Sequence, residues 1–579
     1  MQRRIPYGIM NYAELITKNN YLIDKSRFIE KLETVQNPVF LRPRRFGKSL
    51  FCSMLQYYYD INEADRFEEL FGNTWIGKNR TSSHNMYIVL KLDFSEISGS
   101  DSRNQIEYSF HQYCNRRLIE LKYQYPVYFS DMPDIRMDDP ASLNLSICLG
   151  YLKASGAPPV YVIIDEYDNF VNQLITQSHD HLYSEITSGD SFLRAYYKVL
   201  KAGRQSGSVA NIFITGVLPV TIDDLSSAYN IATFITLDPV YEHMLGFTQN
   251  EVDTLMDEVY RDYEINPITR VHVEEVIKNM YNGYHFVKTD TPAVYNSTML
   301  MFFFRQFAEQ KAIPDNLFDL NLRTDLEWVR RLTLGKKEIL ETFISQLTMS
   351  ETLSYNRKAL LAQFNLHEFF EPAFYPVSLF YLGILTRKDE FSLQIPNLTI
   401  KEMVVEYFNE VFRIDPVQDK YEKMMREFVA HPDLFRLFSE YWRLYISQLP
   451  ESVFMQVNEN FYRTTFYEVC SRYLSPWFTW NIERSYPEGR SDLEFVGKYN
   501  ERFAGLRWII EFKYYSLAEF SRFNRTPETF ELQAEHRHQV QRYGKGVLME
   551  FPEAQVRLFV IYCFGNLGYR VFEVPLHES

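Results

Sequence analysis

The 579 residues carry a formal net charge of −14, with 46% hydrophobic, 16% aromatic and 23% charged side chains. A chain this long exceeds one ordinary core and predicts about three to four domains of roughly 150 residues; its proportions exclude a disordered or fibrous polymer. The acidic balance excludes a basic nucleic-acid coat protein and confines phosphate contacts to local patches, while the lack of any apolar run of about 18 residues excludes a membrane helix.

The charged N-terminus MQRRIPYGIMNYAEL has no apolar core of a secretory signal. Residues 38–41 read as a short strand and 50–59 as a helix; residues 87–94 form a second strand. Residues 160–164 are a continuous apolar run of the sort buried on both faces of a parallel sheet, and 211–216 make a fourth strand. Strands alternating with helices predict a doubly wound α/β domain over 1–245. Long amphipathic stretches, 317–347 and 404–449 among them, then predict a helical lid and connector over 246–450, with a winged-helix unit near 379–398 as one option. Strand signals return at 480–482, 493–496, 508–512 and 556–562, predicting a further α/β domain over 451–579. Cys52, Cys114, Cys148, Cys470 and Cys563 are scattered without a CxxC pair, as in reduced thiols of a cytoplasmic protein.

Two constellations carry chemistry. Between the first strand and its helix lies Arg42-Pro43-Arg44-Arg45-Phe46-Gly47-Lys48-Ser49, the second half of GxxxxGK[ST] with Arg42 where the first Gly belongs. A phosphate loop needs backbone N–H groups converging at a helix N-terminus, a Lys for the β- and γ-phosphates and a hydroxyl for Mg²⁺. Arg45, Phe46, Gly47, Lys48, Ser49 and Leu50 are therefore the candidate nucleotide contacts, with Arg42, Arg44 and Arg45 adding positive charge. The apolar strand at 160–164 ends in Asp165-Glu166, placing Asp165 to serve Mg²⁺ with Ser49, and Glu166 to polarise an attacking water. Asp168 is a further acid nearby, and Thr215 reads either as a γ-phosphate sensor or as a strand-capping hydroxyl.

The run from Phe40 to Leu50 resembles the phosphate loop of the prokaryotic AAA-ATPase-like family, whose members frequently carry a C-terminal PD-(D/E)XK nuclease domain. Segments 91–95, 163–168, 214–217, 246–248, 281–286 and 294–296 are similar as well. The resemblance implies ATP binding and hydrolysis and makes the missing first Gly a family trait. The family often has a basic residue after the sensor strand; residues 217–221 here read Val-Leu-Pro-Val-Thr, leaving an arginine sensor unassigned.

Near the C-terminus, Gly489-Arg490-Ser491-Asp492 leads into one strand and Glu511-Phe512-Lys513 ends the next, a PD-(D/E)XK pattern. Residues i and i+2 of a strand share a face, so Glu511 and Lys513 point to the site and Phe512 to the core. Asp492 and Glu511 would hold Mg²⁺ or Mn²⁺, and Lys513 would orient or help deprotonate a water. The helical Gln539-x-x-x-Tyr543 resembles the QxxxY motif found after the core strands in this superfamily. A third acid is expected on the preceding helix, Glu459 or Glu468; helical periodicity does not choose, and resemblance to the family's Asn-Glu-x-x-Tyr segment favours Glu459. Glu483 reads equally as a supporting group or a surface charge. Gln539, Tyr543, Arg490 and Arg542 are candidate nucleic-acid contacts, and Arg522, Arg525, Arg537 and Lys545 extend a basic face interspersed with glutamates.

The sequence thus predicts a cytoplasmic ATPase fused to a Mg²⁺- or Mn²⁺-dependent nuclease acting on nucleic acid, DNA being the expected substrate, with no membrane partner and a homo-oligomer allowed. The rival reading is a nucleotide-binding regulatory or assembly ATPase whose nuclease-like domain binds nucleic acid without cutting it.

Overall fold

The first apolar runs assemble into a parallel sheet in the computed structural model, which describes residues 2–97, 102–176, 180–187, 189, 191–219, 229–318, 330–331, 337–361, 365–417, 419–486, 489–499 and 501–576. Its strands are β1 (Pro38–Leu41), β2 (Ile88–Asp93), β3 (Val160–Asp165), β4 (Val209–Gly216) and β5 (Thr233–Phe234). They lie in the order β2-β3-β4-β1-β5, every pair parallel. β1 and β3 are buried throughout, as helix-covered parallel strands must be. Helix α1 (Lys48–Tyr59) packs on β2 and β3, α2 (Arg103–Gln124) on β2, and α3 (Phe192–Ser206) on β4. With β4 between β1 and β3, Leu41 pairs with Gly216 and Ile164 with Ile214, so the loops leaving the carboxyl ends of three strands meet at one edge.

The middle of the chain is mostly helical. α4 (Gln249–Asp262) starts with a Thr248/Glu251 capping box, in which two otherwise unmatched N–H groups are satisfied reciprocally. α5 (Arg270–Tyr281), α6 (Ser297–Gln310) and α7 (Lys337–Ser350) follow; part of the expected 317–347 stretch lies outside the described residues, as do Val220 and Thr221. A three-stranded antiparallel sheet, order β6-β8-β7, then joins β6 (Thr352–Ser354) to the hairpin of β7 (Thr386–Arg387) and β8 (Ser392–Gln394). Three helices, α8 (Leu398–Val411), α9 (Asp419–Ala430) and α10 (Leu434–Leu444), complete the region.

The last region is a mixed sheet between helices. α11 (Glu459–Leu474) precedes β9 (Phe478–Ile482), the short hairpin β10 (Ser485–Tyr486) and β11 (Gly489–Arg490), β12 (Leu493–Gly497) and β13 (Leu506–Tyr515). α12 (Ala534–Glu550), β14 (Gln555–Phe564) and β15 (Gly568–Val574) finish it. The order is β15-β14-β13-β12-β9, with β13 and β14 parallel and the other pairs antiparallel. Alternation along β13 sorts its side chains into two cores: Ile509 packs with Val540, Tyr543 and Val547 of α12, while Phe512 meets Phe466 of α11 and Phe438 of α10. Burying one such ring contributes about 1.5–3 kcal/mol.

The helical middle meets the last region through α5 on one side and β9 with Arg484 on the other. His272 Nε2 lies 2.6 Å from Thr479 Oγ1, Asn279 donates to Asn481 at 2.8 Å, and Glu275 pairs with Arg484 at 2.6 Å. All five cysteines are free and buried. Among the described residues no helix is long and apolar enough to cross a membrane.

Candidate active sites

The turn from β1 into α1 is shaped by two left-handed residues, Arg45 (φ 71°) and Gly47 (φ 91°). Gly47 is the N-cap of α1 and gives no side-chain cap, so the first-turn amides and the positive end of the helix dipole are left to an anion. The Arg45 carbonyl accepts from Ser297 Oγ at 3.2 Å and Thr298 N at 3.1 Å, which fixes this turn against the start of α6. Lys48 is buried; its Nζ donates to the carbonyls of Arg42 (3.3 Å) and Pro43 (3.2 Å) and lies 3.4 Å from Glu166 Oε1. The Ser49 hydroxyl lies beside the Asp165 carboxylate and favours its ionised form. Asp165 is fully buried, its Oδ1 accepts from Glu166 N at 3.0 Å, and its Oδ2 has no partner among the described residues. Burial, then the charge of Glu166, pushes the Asp165 carboxyl up to about 6. An orphaned carboxylate oxygen beside a serine hydroxyl suits a hard divalent cation, which takes oxygen ligands.

Beside this loop opens a cavity of about 710 Å³, floored by the 45–50 segment and Glu166 and walled by Tyr7, Ile9, Ile23, Phe247 and Met301. That size belongs to small-molecule and cofactor sites, and Leu50 lines it. Phe46 contributes backbone: its ring is buried edge-on against Tyr284 and Phe286, centroids 5.0 and 5.3 Å away.

Two expectations for this region need correction. Arg42 adds no charge to the loop surface. It is 1% exposed, donates to the carbonyls of Leu41, Thr236 and Glu242, and lies 4.3 Å from the ring centres of both Phe40 and Phe286. Burial lowers its pKa to about 9. It takes the place of the missing glycine by tying β1 to the segment after β5. Thr215 is also buried, donating to Phe40 O at 2.7 Å; this is the strand-capping hydroxyl, with its proton committed inside the sheet. Asp168 has a backbone task that sequence did not reveal. It accepts from Leu218 N (2.7 Å), Val217 N and Asn172, locking the turn after β3 to the turn after β4. Gly216 permits this, since a Cβ there would sit 2.3 Å from Asp168 Oδ1.

The second site forms where β12 and β13 run antiparallel. Leu493 pairs with Ile510, which brings Asp492 alongside Glu511. Asp492 Oδ2 accepts from Phe512 N at 2.7 Å and Oδ1 from Arg463 Nη1 at 3.2 Å. Glu511 is 2% exposed; its Oε1 accepts from Lys513 Nζ and Gln539 Nε2, each at 2.7 Å, and its Oε2 has no partner among the described residues. Burial and then the Asp492 charge push Glu511 up to about 8. Burial works to lower the Lys513 pKa, yet Glu511 and Glu459 outweigh it and raise the ammonium above its usual range. Glu459, at the start of α11, lies 3.9 Å from Lys513, and burial with Asp492 pushes its carboxyl up to about 7. Glu468 faces elsewhere, paired with Arg472 near Glu402. Among the described residues no three His, Cys, Asp or Glu side chains form a ready-made metal cage; the cations Arg463 and Lys513 occupy one oxygen of each core carboxylate. The free Oε2 of Glu511 next to Asp492 nevertheless fits a metal ligand of the hard-oxygen class.

Gln539 and Tyr543 are joined at 2.8 Å, one α-helical turn apart. Tyr543 is only 2% exposed and stacks on Tyr486, and a Cβ at Gly489 would lie 2.8 Å from its hydroxyl. The expectation that Tyr543 touches nucleic acid is therefore corrected: it supports the β10–β11 hairpin from below and orients Gln539 toward Glu511. Pro487 and Glu488, at the tip of that hairpin, lie outside the described residues. Arg490 and Arg542 are exposed, and Arg490 pairs with Glu483. Arg463 was not singled out by sequence. It is 5% exposed and bridges Asp492 and Glu483, the latter at 3.0 Å, while also donating to Asn460. Its one sequence signal is position, i+4 from Glu459 on the same helix face.

Residues 6–226 match the family described as predicted AAA-ATPase, and residues 457–573 match the PD-(D/E)XK nuclease superfamily. The chain is similar to a protein of Azotobacter chroococcum mcd 1 described as an uncharacterized protein in the vnfD 5′ region, 26% identical over 326 residues. That match covers 55% of this chain and 56% of the relative, so the chain spans about half the length of the curated protein it matches. A Walker-type ATPase of Pyrococcus abyssi is similar at a TM-score of 0.37 and 14% identity, covering 66% of this chain and 94% of its own.

Proposed function

We propose that this chain, an AAA-ATPase-like domain joined to a PD-(D/E)XK nuclease-superfamily domain, is a cytoplasmic enzyme that binds and hydrolyses ATP and cuts DNA phosphodiester bonds under ATP control. In the N-terminal site the α1 amides and Lys48 receive the phosphates, Ser49 and Asp165 hold Mg²⁺, and Glu166 polarises water. The apolar wall of the 710 Å³ cavity receives the base. In the C-terminal site Asp492 and Glu511 hold the divalent cation. That cation supplies a water of lowered pKa and neutralises charge building on the phosphate. Lys513 steers the nucleophile and stabilises the developing charge. Arg463 fixes Asp492, Gln539 fixes Glu511, and Glu459 is a further base or ligand at the same opening.

The observation that carries this reading is the buried Glu511 oxygen left without a partner beside Asp492 and within one side chain of Lys513. An unsatisfied buried carboxylate oxygen costs about 1–3 kcal/mol, a cost that a ligand at that spot offsets. The test is cleavage of linear and circular DNA by purified protein with and without ATP and Mg²⁺ or Mn²⁺, beside Lys48→Ala and Asp492→Ala. The expected result is metal-dependent cleavage abolished by Asp492→Ala and reduced at least about 100-fold by Lys48→Ala. Cleavage untouched by Lys48→Ala removes the ATP gate. No cleavage of DNA or RNA by wild type favours a regulatory ATPase whose nuclease-like domain only binds.

A further inference from the structure

Against the candidate nuclease site lies a second cavity of about 550 Å³, built jointly by three parts of the fold. α5 contributes Lys278, the β7–β8 hairpin contributes Lys388, and β11 with the end of β9 contributes Arg490 and Glu483. Its charge runs against that of the chain. Glu351 is taken by Lys401 at 2.6 Å and Glu483 by Arg490, while Lys278 and Lys388 are exposed and form no ion pair with a carboxylate among the described residues. Two net positive charges are thus concentrated in one concavity of an acidic protein. The remaining polar lining is largely amide, and none of the lining residues is aromatic.

Glu483 is the shared wall. It faces the cavity, accepts from Arg463 at 3.0 Å, and its backbone N donates to Asp492 O at 3.1 Å. Whatever occupies the cavity therefore sits one residue away from the metal-binding carboxylate. Ammonium groups and amides suit phosphate oxygens, and a lining without aromatics offers no base-stacking platform. The volume falls in the small-ligand range, which admits a few sugar-phosphate units; a duplex, whose major groove alone is about 12 Å across, is too broad.

We propose that this cavity seats the sugar-phosphate backbone of a single nucleic-acid strand and delivers it, without sequence preference, to the Asp492–Glu511 site. The assignment rests on the nuclease reading above and adds the strandedness of the substrate and the residues that hold it. Because α5 and the β7–β8 hairpin form half of the seat, the nuclease-superfamily domain alone lacks it.

The test uses the full chain carrying Glu511→Gln to prevent cutting, and fluorescence anisotropy with a labelled oligothymidylate and a labelled duplex in EDTA across a salt series. Lys278→Gln/Lys388→Gln should weaken single-strand binding roughly tenfold and flatten the log K against log salt slope by about 1.4, two contacts at about 0.7 each. Duplex affinity should stay unchanged, Lys278→Arg/Lys388→Arg should bind like the parent, and the remote Lys420→Gln/Lys423→Gln pair should have no effect. An unchanged single-strand slope in the Gln pair, or equal weakening of single strand and duplex, overturns the seat while leaving the nuclease reading intact if the chain with Glu511 restored still cuts. Absence of binding by every form overturns both.

Discussion

The two candidate sites are built from different materials. The N-terminal one is largely backbone: a strand end, a left-handed Gly47, the open amides of α1 and one orphaned acid, Asp165. The C-terminal one is almost wholly side chain, drawn from α11, the start of β12, β13 and α12. A backbone site needs consecutive residues, so it appears in the sequence as one contiguous motif. A side-chain site needs register across separate elements, so its members appear as scattered letters whose meeting depends on pairing such as Leu493 with Ile510.

That contrast predicts different sensitivities. Arg463→Lys should have the larger effect, because it keeps the charge but loses the fork that spans Asp492 and Glu483. Cleavage should fall about 10- to 100-fold, in kcat more than KM, with ATP hydrolysis retained; single-turnover cleavage and phosphate release measured on one preparation check this. Equal loss of both activities would mean that the variant perturbs the whole chain. Gly47→Ala should have the smaller effect, confined to the other site. A side chain at φ 91° costs about 1–3 kcal/mol, which weakens nucleotide binding about tenfold by titration calorimetry, with metal-dependent DNA binding unchanged. Nucleotide affinity equal to wild type would show that Gly47 is not held in that conformation when nucleotide is bound.

The same contrast explains what could be read from sequence. β1 and β3 were legible because buried parallel strands are near-continuous apolar runs, β2 and β4 because Lys91 and Asn211 each interrupt an otherwise apolar stretch only once, and the paired placement of Glu511 and Lys513 followed from the two-residue period of β13. β15 was not legible: Gly568–Val574 is a half-buried edge strand in which Arg570 and Glu573 fall on opposite faces, so it shows neither a clean alternation nor an unbroken apolar run. Glu459 and Glu468 flank opposite edges of the apolar stripe of α11, and only the docking of that helix on β13 turns the first toward Lys513. Arg42, Asp168, Arg463 and Tyr543 share one lesson. Each is a polar side chain whose partners are distant in sequence and whose burial composition does not announce. Arg42 and Tyr543 looked like surface contacts and are internal supports.

The central claim is that Asp492 and Glu511 form a divalent-cation site. Its most direct measurement is Mn²⁺ binding to the full chain by electron paramagnetic resonance in the presence of excess nucleotide and Mg²⁺-free buffer, wild type beside Glu511→Gln. The account predicts one Mn²⁺ fewer in the variant, with the nucleotide-associated ion kept. Equal stoichiometry in the two proteins would contradict it.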